Sequence, residues 1–144
     1  MKRNTLLIAI AAITVVGIAA GLLLSGAGPS GALQGMIAPI PTTLTLGYTV
    51  LMENGVGGYV LDLHGRLVDS TGGPVANRPV KLRWRLPDET TLHDCGTATT
   101  GADGSYSLQF EQYSWYYGRH PIYHAEFAGD SLFLASRSAD VQGP

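Results

Sequence analysis

Two hydrophobic patterns divide the chain, one continuous near the N-terminus and one alternating beyond residue 41. From Thr5 to Gly28 no charged residue occurs, and about 20 strongly apolar positions suffice for a helix crossing a hydrocarbon core of roughly 30 Å. Residues 29–41 are rich in Gly, Pro and Ser, a composition typical of linkers. We therefore predict a transmembrane signal anchor at 1–28, a linker at 29–41 and a β domain at 42–144.

Beyond residue 41, apolar and polar residues alternate with a period of two between turns rich in Gly, Pro, Asn and Asp, which predicts short strands. The predicted strands cover residues 42–46, 59–68, 79–86, 97–100, 105–110, 123–127 and 132–141. Val80, Leu82 and Trp84 are predicted to face the core. The predicted fold class is therefore all-β, a single sandwich of about seven strands preceded by one transmembrane helix.

A turn at Asp103-Gly104 separates two of these predicted strands. Asp-Gly is a strong signal for a tight turn between antiparallel neighbours. The sequence therefore predicts that 97–100 and 105–110 form a hairpin.

The N-terminal segment admits three interpretations. Its apolar run is longer than the core of a signal peptide, which favours a retained anchor, although Ser25-Gly26-Ala27 offers small residues suited to cleavage. A short basic leader before a long apolar helix and a β domain also resembles the layout of archaeal pilins, in which the helix packs in a filament core. Gly17 and Gly21 form a Gly-x-x-x-Gly pair that would let a second helix approach closely.

The distribution of charge predicts the topology. Lys2 and Arg3 precede the apolar run and no basic residue follows until Arg66, which predicts a cytoplasmic N-terminus and an extracellular domain at the cell membrane. The remainder holds seven basic against 11 acidic residues, a difference of −4. Without a basic stripe, nucleic acid is not an expected partner.

Three segments carry a family resemblance: LHGRLVDSTGGPVANRPVKL, TATTGADGSYSL and YHAEFAGDSLFLASRSADV. In this order and spacing they resemble the prokaryotic Ig-like repeat domains of cell-surface proteins, and the first two also resemble carboxypeptidase regulatory-like domains. The resemblance covers about residues 42–141 and implies an Ig-like β-sandwich that serves as a spacer, stalk or adhesion module. Such modules usually occur in tandem, whereas this one is single, which favours a subunit of a larger assembly.

The chain departs from that family in one place, where residues 111–121 replace a short Pro-Gly turn. This insertion contains Tyr113, Trp115, Tyr116 and Tyr117, whose large amphipathic side chains are common at interfaces with proteins, sugars and membranes. We predict that these four residues form a partner contact. The alternative is a long loop that closes one end of the sandwich and buries half of its aromatic residues.

The residues capable of chemistry do not form a recognisable site. His93-Asp94-Cys95 has the residue types of a thiol nucleophile and its base, but neighbours in a strand point to opposite faces. Asp62 and His64 share the outward face of one predicted strand, without a spacing diagnostic of metal ligands. Two further histidines, His120 and His124, are expected at the surface, and Asp69, Asp103 and Asp130 are expected to stabilise turns.

No enzyme activity, cofactor or metal is therefore predicted. The predicted function is that of a membrane-anchored extracytoplasmic binding or structural module, an accessory subunit of a membrane or envelope complex. The expected partners are the lipid bilayer through residues 5–28 and other membrane or envelope proteins, including copies of itself. The alternative function is a pilin-like filament subunit, and the mass of the native N-terminus separates the two.

Overall fold

The computed structural model describes residues 37–54, 58–113 and 118–144, and within these ranges the chain forms nine strands and no helix. The strands are β1 (Thr42–Leu44), β2 (Gly47–Asn54), β3 (Gly58–Asp69), β4 (Pro79–Arg85), β5 (His93–Thr99), β6 (Ser105–Gln112), β7 (Ile122–Phe127), β8 (Ser136–Arg137) and β9 (Val141–Gln142).

The strands form two antiparallel sheets. In the first, the central strand β3 pairs with β1, β2 and β6. In the second, β4 pairs with β5 and β7, and β7 pairs in turn with β8 and β9 near its two ends. The two sheets bury one common hydrophobic core, an arrangement consistent with a sandwich.

Apolar and polar residues alternate along the long strands, and the apolar ones form the core, as the sequence predicts. Leu61, Leu63 and Leu67 of β3 are fully buried, and Val80 and Leu82 of β4 face them from the second sheet. Burying one such side chain contributes about 1.5–3 kcal/mol relative to leaving it exposed. The inward-facing sets predicted for these two strands are therefore confirmed, apart from Tyr59, which is only half-buried.

The predicted fold class is nevertheless wrong as stated. The described residues form nine strands rather than about seven, because β2 adds an edge to the first sheet and the C-terminal segment forms two short pairings instead of one strand. Within the described ranges, no helix is long and apolar enough to cross a membrane. Residues 1–28, where the sequence places a transmembrane helix, lie outside the described residues.

The predicted hairpin between β5 and β6 is also wrong. The turn itself forms, with the Gly101 amide donating to the Ser105 carbonyl at 2.8 Å and Gly104 at a φ of 77°. The two strands then separate, because β5 pairs with β4 and β6 pairs with β3. This turn therefore connects the two sheets rather than two neighbours within one sheet.

Gly65 marks a close approach between β3 and the segment that joins β1 to β2. A Cβ atom at this position would lie 2.0 Å from the Thr45 carbonyl oxygen and 2.6 Å from the Tyr106 hydroxyl. That hydroxyl donates to the same carbonyl, so Tyr106 of β6 holds the segment that joins β1 to β2 against β3 at Gly65. Only glycine leaves room for this contact.

The strand registers give the sandwich two ends. At the proximal end, where the described chain begins, Ile40 bridges to Phe133 and Phe127 pairs with Ser136. The distal end is defined by the pairs Trp84–Tyr123, Trp84–His93 and Tyr59–Gln112.

Candidate binding site at the distal end

A recess of about 280 Å³ opens at the distal end of the sandwich. Residues of four strands and of the segment that follows β6 line it: Trp84, His93, Asp94, Phe110, Glu111, Gln112, Tyr113 and Tyr123. Small recesses that combine aromatic walls with a few polar groups are typical of binding sites.

Aromatic packing shapes the walls of the recess. The His93 ring stacks on the Trp84 indole with ring centroids 4.4 Å apart and an angle of 22° between the planes. Their side chains meet because the two residues pair across β4 and β5. On the other side, Phe110 meets Tyr123 edge to face at 6.2 Å, so aromatic groups from both sheets meet here.

Gln112 places an unsatisfied donor at this end of the core. Its side chain is 2% exposed, and its Oε1 accepts a hydrogen bond from the Tyr123 hydroxyl. Its Nε2 is buried and has no hydrogen-bond partner among the described residues. Burying such an unsatisfied donor lowers the free energy of unfolding by about 1–3 kcal/mol. Burial also raises the pKa of Tyr123, so the phenol remains a neutral donor.

The charges around the recess are largely paired. Asp94 lies 3.2 Å from Lys81 and 3.6 Å from Arg83, and the His93 Nε2 lies 3.6 Å from Glu89. Glu111, on the rim, is exposed to solvent. Two basic residues therefore neutralise Asp94, while Glu111 places an acidic group at the rim beside the aromatic walls.

The predicted contact residues are only partly within the described structure. Tyr113 is 59% exposed and lines the recess, which is consistent with a contact role. Trp115, Tyr116 and Tyr117 lie outside the described residues, as do Gly17 and Gly21. Sequence reasoning missed four wall residues, Trp84, His93, Gln112 and Tyr123, since the register that brings them together leaves no local signal.

Cys95 lacks the environment of a reactive thiol. Burial and, secondarily, the Asp94 carboxylate raise its pKa from 9.0 to about 12, so the thiolate is scarce at neutral pH. The two residues before it are engaged elsewhere, His93 with Trp84 and Asp94 with Lys81. The three neighbours therefore do not assemble as a nucleophile, a base and an orienting group.

The histidines expected at the surface differ in their burial. His64 is half-exposed, and its Nδ1 lies 3.6 Å from the Asp62 carboxylate, on the outer face predicted for this pair. His124, in contrast, is fully buried, so the prediction of a surface histidine is wrong there. Its Nε2 lies 3.0 Å from Glu126, whose carboxylate also lies 3.1 Å from Arg83. The described ranges contain no group of three or more His, Cys, Asp or Glu side chains able to hold a metal ion.

The three turn aspartates serve the backbone, as predicted. Asp69 accepts from the Thr71 hydroxyl at 2.6 Å and amide at 2.8 Å, and these bonds lower its pKa. Hydrogen bonds from Ser105 lower the pKa of Asp103 in the same way. For Asp130 the Leu132 amide is the main cause of the lowered pKa. Each carboxylate thus stabilises its own turn.

Comparison with known proteins does not assign the chain to a family. None of the protein-family models compared with the chain matches it, and no curated protein matches it either. The recess and its wall residues are therefore the features from which a function can be proposed.

Proposed function

We propose that this protein is an extracytoplasmic binding or structural module, an Ig-like domain that serves as an accessory subunit of a membrane or envelope complex. The observation that carries the proposal is the aromatic recess at the distal end, opposite the end at which the chain enters. A partner bound there would stand away from the attachment point of the domain.

The recess has the physical character of an interface centre. Tyr113 offers exposed aromatic area beside the stacked pair of Trp84 and His93, and Tyr and Trp are enriched among the residues that dominate binding energy.

The proposed location rests on the sequence. Residues 5–28 are uncharged and strongly apolar, and the basic residues before them, Lys2 and Arg3, favour retention of the N-terminus in the cytoplasm. The β domain would then lie outside the cell membrane, attached through this segment. With 11 acidic and seven basic residues, that domain would meet envelope proteins rather than nucleic acid.

Site-specific photo-crosslinking in intact cells tests the proposal. A photoreactive phenylalanine analogue replaces Tyr113 in one full-length variant and Leu132, at the proximal end, in the control, because these residues are 59% and 53% exposed. We expect a discrete adduct with an envelope protein from position 113, in at least fivefold higher yield than from position 132. Equal yields at both positions, or no adduct from position 113, would refute the distal contact. Adducts between two copies of the chain would instead support the filament alternative.

A further inference from the structure

Four exposed apolar side chains lie in the two segments that meet at the proximal end of the sandwich. We call Ile37, Ile40, Leu132 and Leu134 the proximal patch; they are 80%, 37%, 53% and 38% exposed, respectively. Two hydrogen bonds hold its two segments together: the Ile40 amide donates to the Leu132 carbonyl, and the Leu134 amide donates to the Ile40 carbonyl, each at 2.8 Å. The side chain of Ile40 shares the face of Phe133, its bridge partner, while Leu132 and Leu134 point to the other face, so apolar groups are exposed on both faces of this pairing. Exposed apolar groups gathered at one end of a domain suit an interaction site.

The turn that presents Leu132 and Leu134 is firmly built. Asp130 Oδ1 accepts hydrogen bonds from the Leu132 amide at 2.7 Å and the Phe133 amide at 2.9 Å. Between the two leucines, Phe133 packs on the core, and the Arg78 guanidinium lies 5.4 Å from its ring centre. Arg78 also pairs with Asp130 at 2.5 Å. The exposed leucines are therefore held outward by an ordered scaffold.

The position of the patch along the chain favours lipid as its occupant. Ile37 follows the uncharged apolar segment of residues 5–28 after only residues 29–36. Even fully extended, this connection spans roughly 30 Å, since a residue contributes at most about 3.6 Å. Whatever surface holds residues 5–28 therefore lies within reach of the proximal patch.

We propose that the proximal patch docks on the lipid surface and seats the domain on the membrane with its distal end pointing outward. This inference rests on the membrane attachment in the proposed function. Isoleucine and leucine side chains insert at the boundary between headgroups and acyl chains. Because attachment keeps the local concentration of the domain high, a small patch suffices.

The attraction is apolar rather than electrostatic. With seven basic against 11 acidic residues, the domain would be repelled by anionic lipids, and the guanidinium groups of Arg78 and Arg137 at this end are already paired with Asp130 and Asp140. Docking therefore takes place on zwitterionic lipid and persists at high salt.

Depth-dependent fluorescence quenching tests the proposal with the full-length chain in phosphatidylcholine vesicles that contain lipid brominated on its acyl chains. Leu132→Trp is compared with Leu51→Trp, because these leucines are 53% and 50% exposed. A second pair, Leu134→Trp and Leu92→Trp, is matched at 38% exposure. The wild-type signal of the two native tryptophans is subtracted.

We expect at least threefold stronger quenching at positions 132 and 134 than at their controls, unchanged between 0.1 and about 1 M salt because apolar contact is not screened. Equal quenching within each pair would overturn the docking. Blue-shifted but unquenched emission at positions 132 and 134 would also overturn it, because it would mean burial against protein, including a second copy. Release at high salt would contradict the apolar mechanism.

Flotation of the same samples separates this inference from the one on which it rests. If the wild-type chain does not float with the vesicles, the proposed membrane attachment fails and the docking fails with it. If the chain floats but the matched positions are quenched equally, the attachment stands and only the docking is refuted.

Discussion

Removing the Tyr123 hydroxyl provides a direct test of the polar pair at the distal end. Tyr123 is fully buried and donates to Gln112 Oε1, while Gln112 is 2% exposed and its Nε2 has no partner among the described residues. Tyr123→Phe would leave the whole buried amide without a described partner. We expect a loss of about 1–3 kcal/mol in the free energy of unfolding.

The second substitution removes the other partner. Gln112→Met is similar in shape, leaves the Tyr123 hydroxyl unpaired, and also eliminates the unsatisfied Nε2. We expect a smaller loss, about 0–2 kcal/mol, because the two effects oppose each other. In the double variant both partners are apolar, and its stability should return to within about 0.5 kcal/mol of the wild type.

Urea unfolding of the full-length chain in mild detergent, followed by tryptophan fluorescence, gives the three stabilities and their coupling. Tyr48→Phe is the control, because Tyr48 is a half-buried tyrosine at the core edge outside this pair. If the losses of the two single variants simply add in the double variant, the hydrogen bond does not stabilise the fold and the reasoning is refuted.

Two further predictions concern the packing around Gly65 and Cys95. Gly65→Ala should destabilise the domain by about 1–3 kcal/mol in the same assay, since its Cβ would lie 2.0 Å from the Thr45 carbonyl oxygen. The control Gly47→Ala, whose Cβ would make only ordinary contacts from 3.5 Å, should change stability by less than about 1 kcal/mol. Equal effects of the two substitutions would contradict the steric argument. A rise in the Cys95 pKa from 9.0 to about 12 lowers the thiolate fraction at neutral pH about a thousandfold, so a thiol reagent should label the folded chain at least a hundredfold more slowly than the urea-unfolded chain. Equal labelling rates of the folded and unfolded chains would contradict the raised pKa. The same rise in pKa also stabilises the folded chain, and this stabilisation is complete below about pH 9 and is lost as the pH rises toward 12.

The core was predictable from the sequence wherever a strand is buried on one face only. Leu61 and Leu63 of β3 and Val80 and Leu82 of β4 follow a period of two, and all four are buried. β2 was missed because Leu51 and Met52 are both exposed and the register shifts between Val50 and Met52, which interrupts the alternation.

Pairing between distant strands was not predictable from local signals. The Asp103-Gly104 turn was recognised, but its residues do not determine whether β5 and β6 remain neighbours or join different sheets. His124 alternates as an outward residue but is fully buried, because burial depends on what covers the strand and not on its period alone.

The distal recess shows the same division between local and long-range information. Tyr113 was identified because exposed aromatic residues in an insertion are a local feature of the sequence. Trp84 and Tyr123 meet through the pairing of β4 with β7, and the Tyr123 hydroxyl donates to Gln112 of the other sheet. A recess formed across two sheets is thus determined by register, which single-sequence patterns do not encode.

The two ends of the sandwich differ in a way that gives the domain an orientation. Both ends expose aliphatic side chains, Leu132 and Leu134 at the proximal end and Leu51, Met52 and Leu92 at the distal end. Those at the proximal end lie beside the segment that follows the apolar N-terminus, whereas the distal end also gathers aromatic rings and an amide. Aliphatic side chains suit contact with lipid, and aromatic and amide groups suit contact with protein. Because β3, β4 and β6 run between these ends, docking of the proximal patch would fix the direction in which Tyr113 and the recess face. The crosslinking yield from position 113 should therefore fall when Leu132 and Leu134 are both changed to Ser, although neither residue touches the recess. An unchanged yield would show that the distal contact does not depend on how the domain is seated.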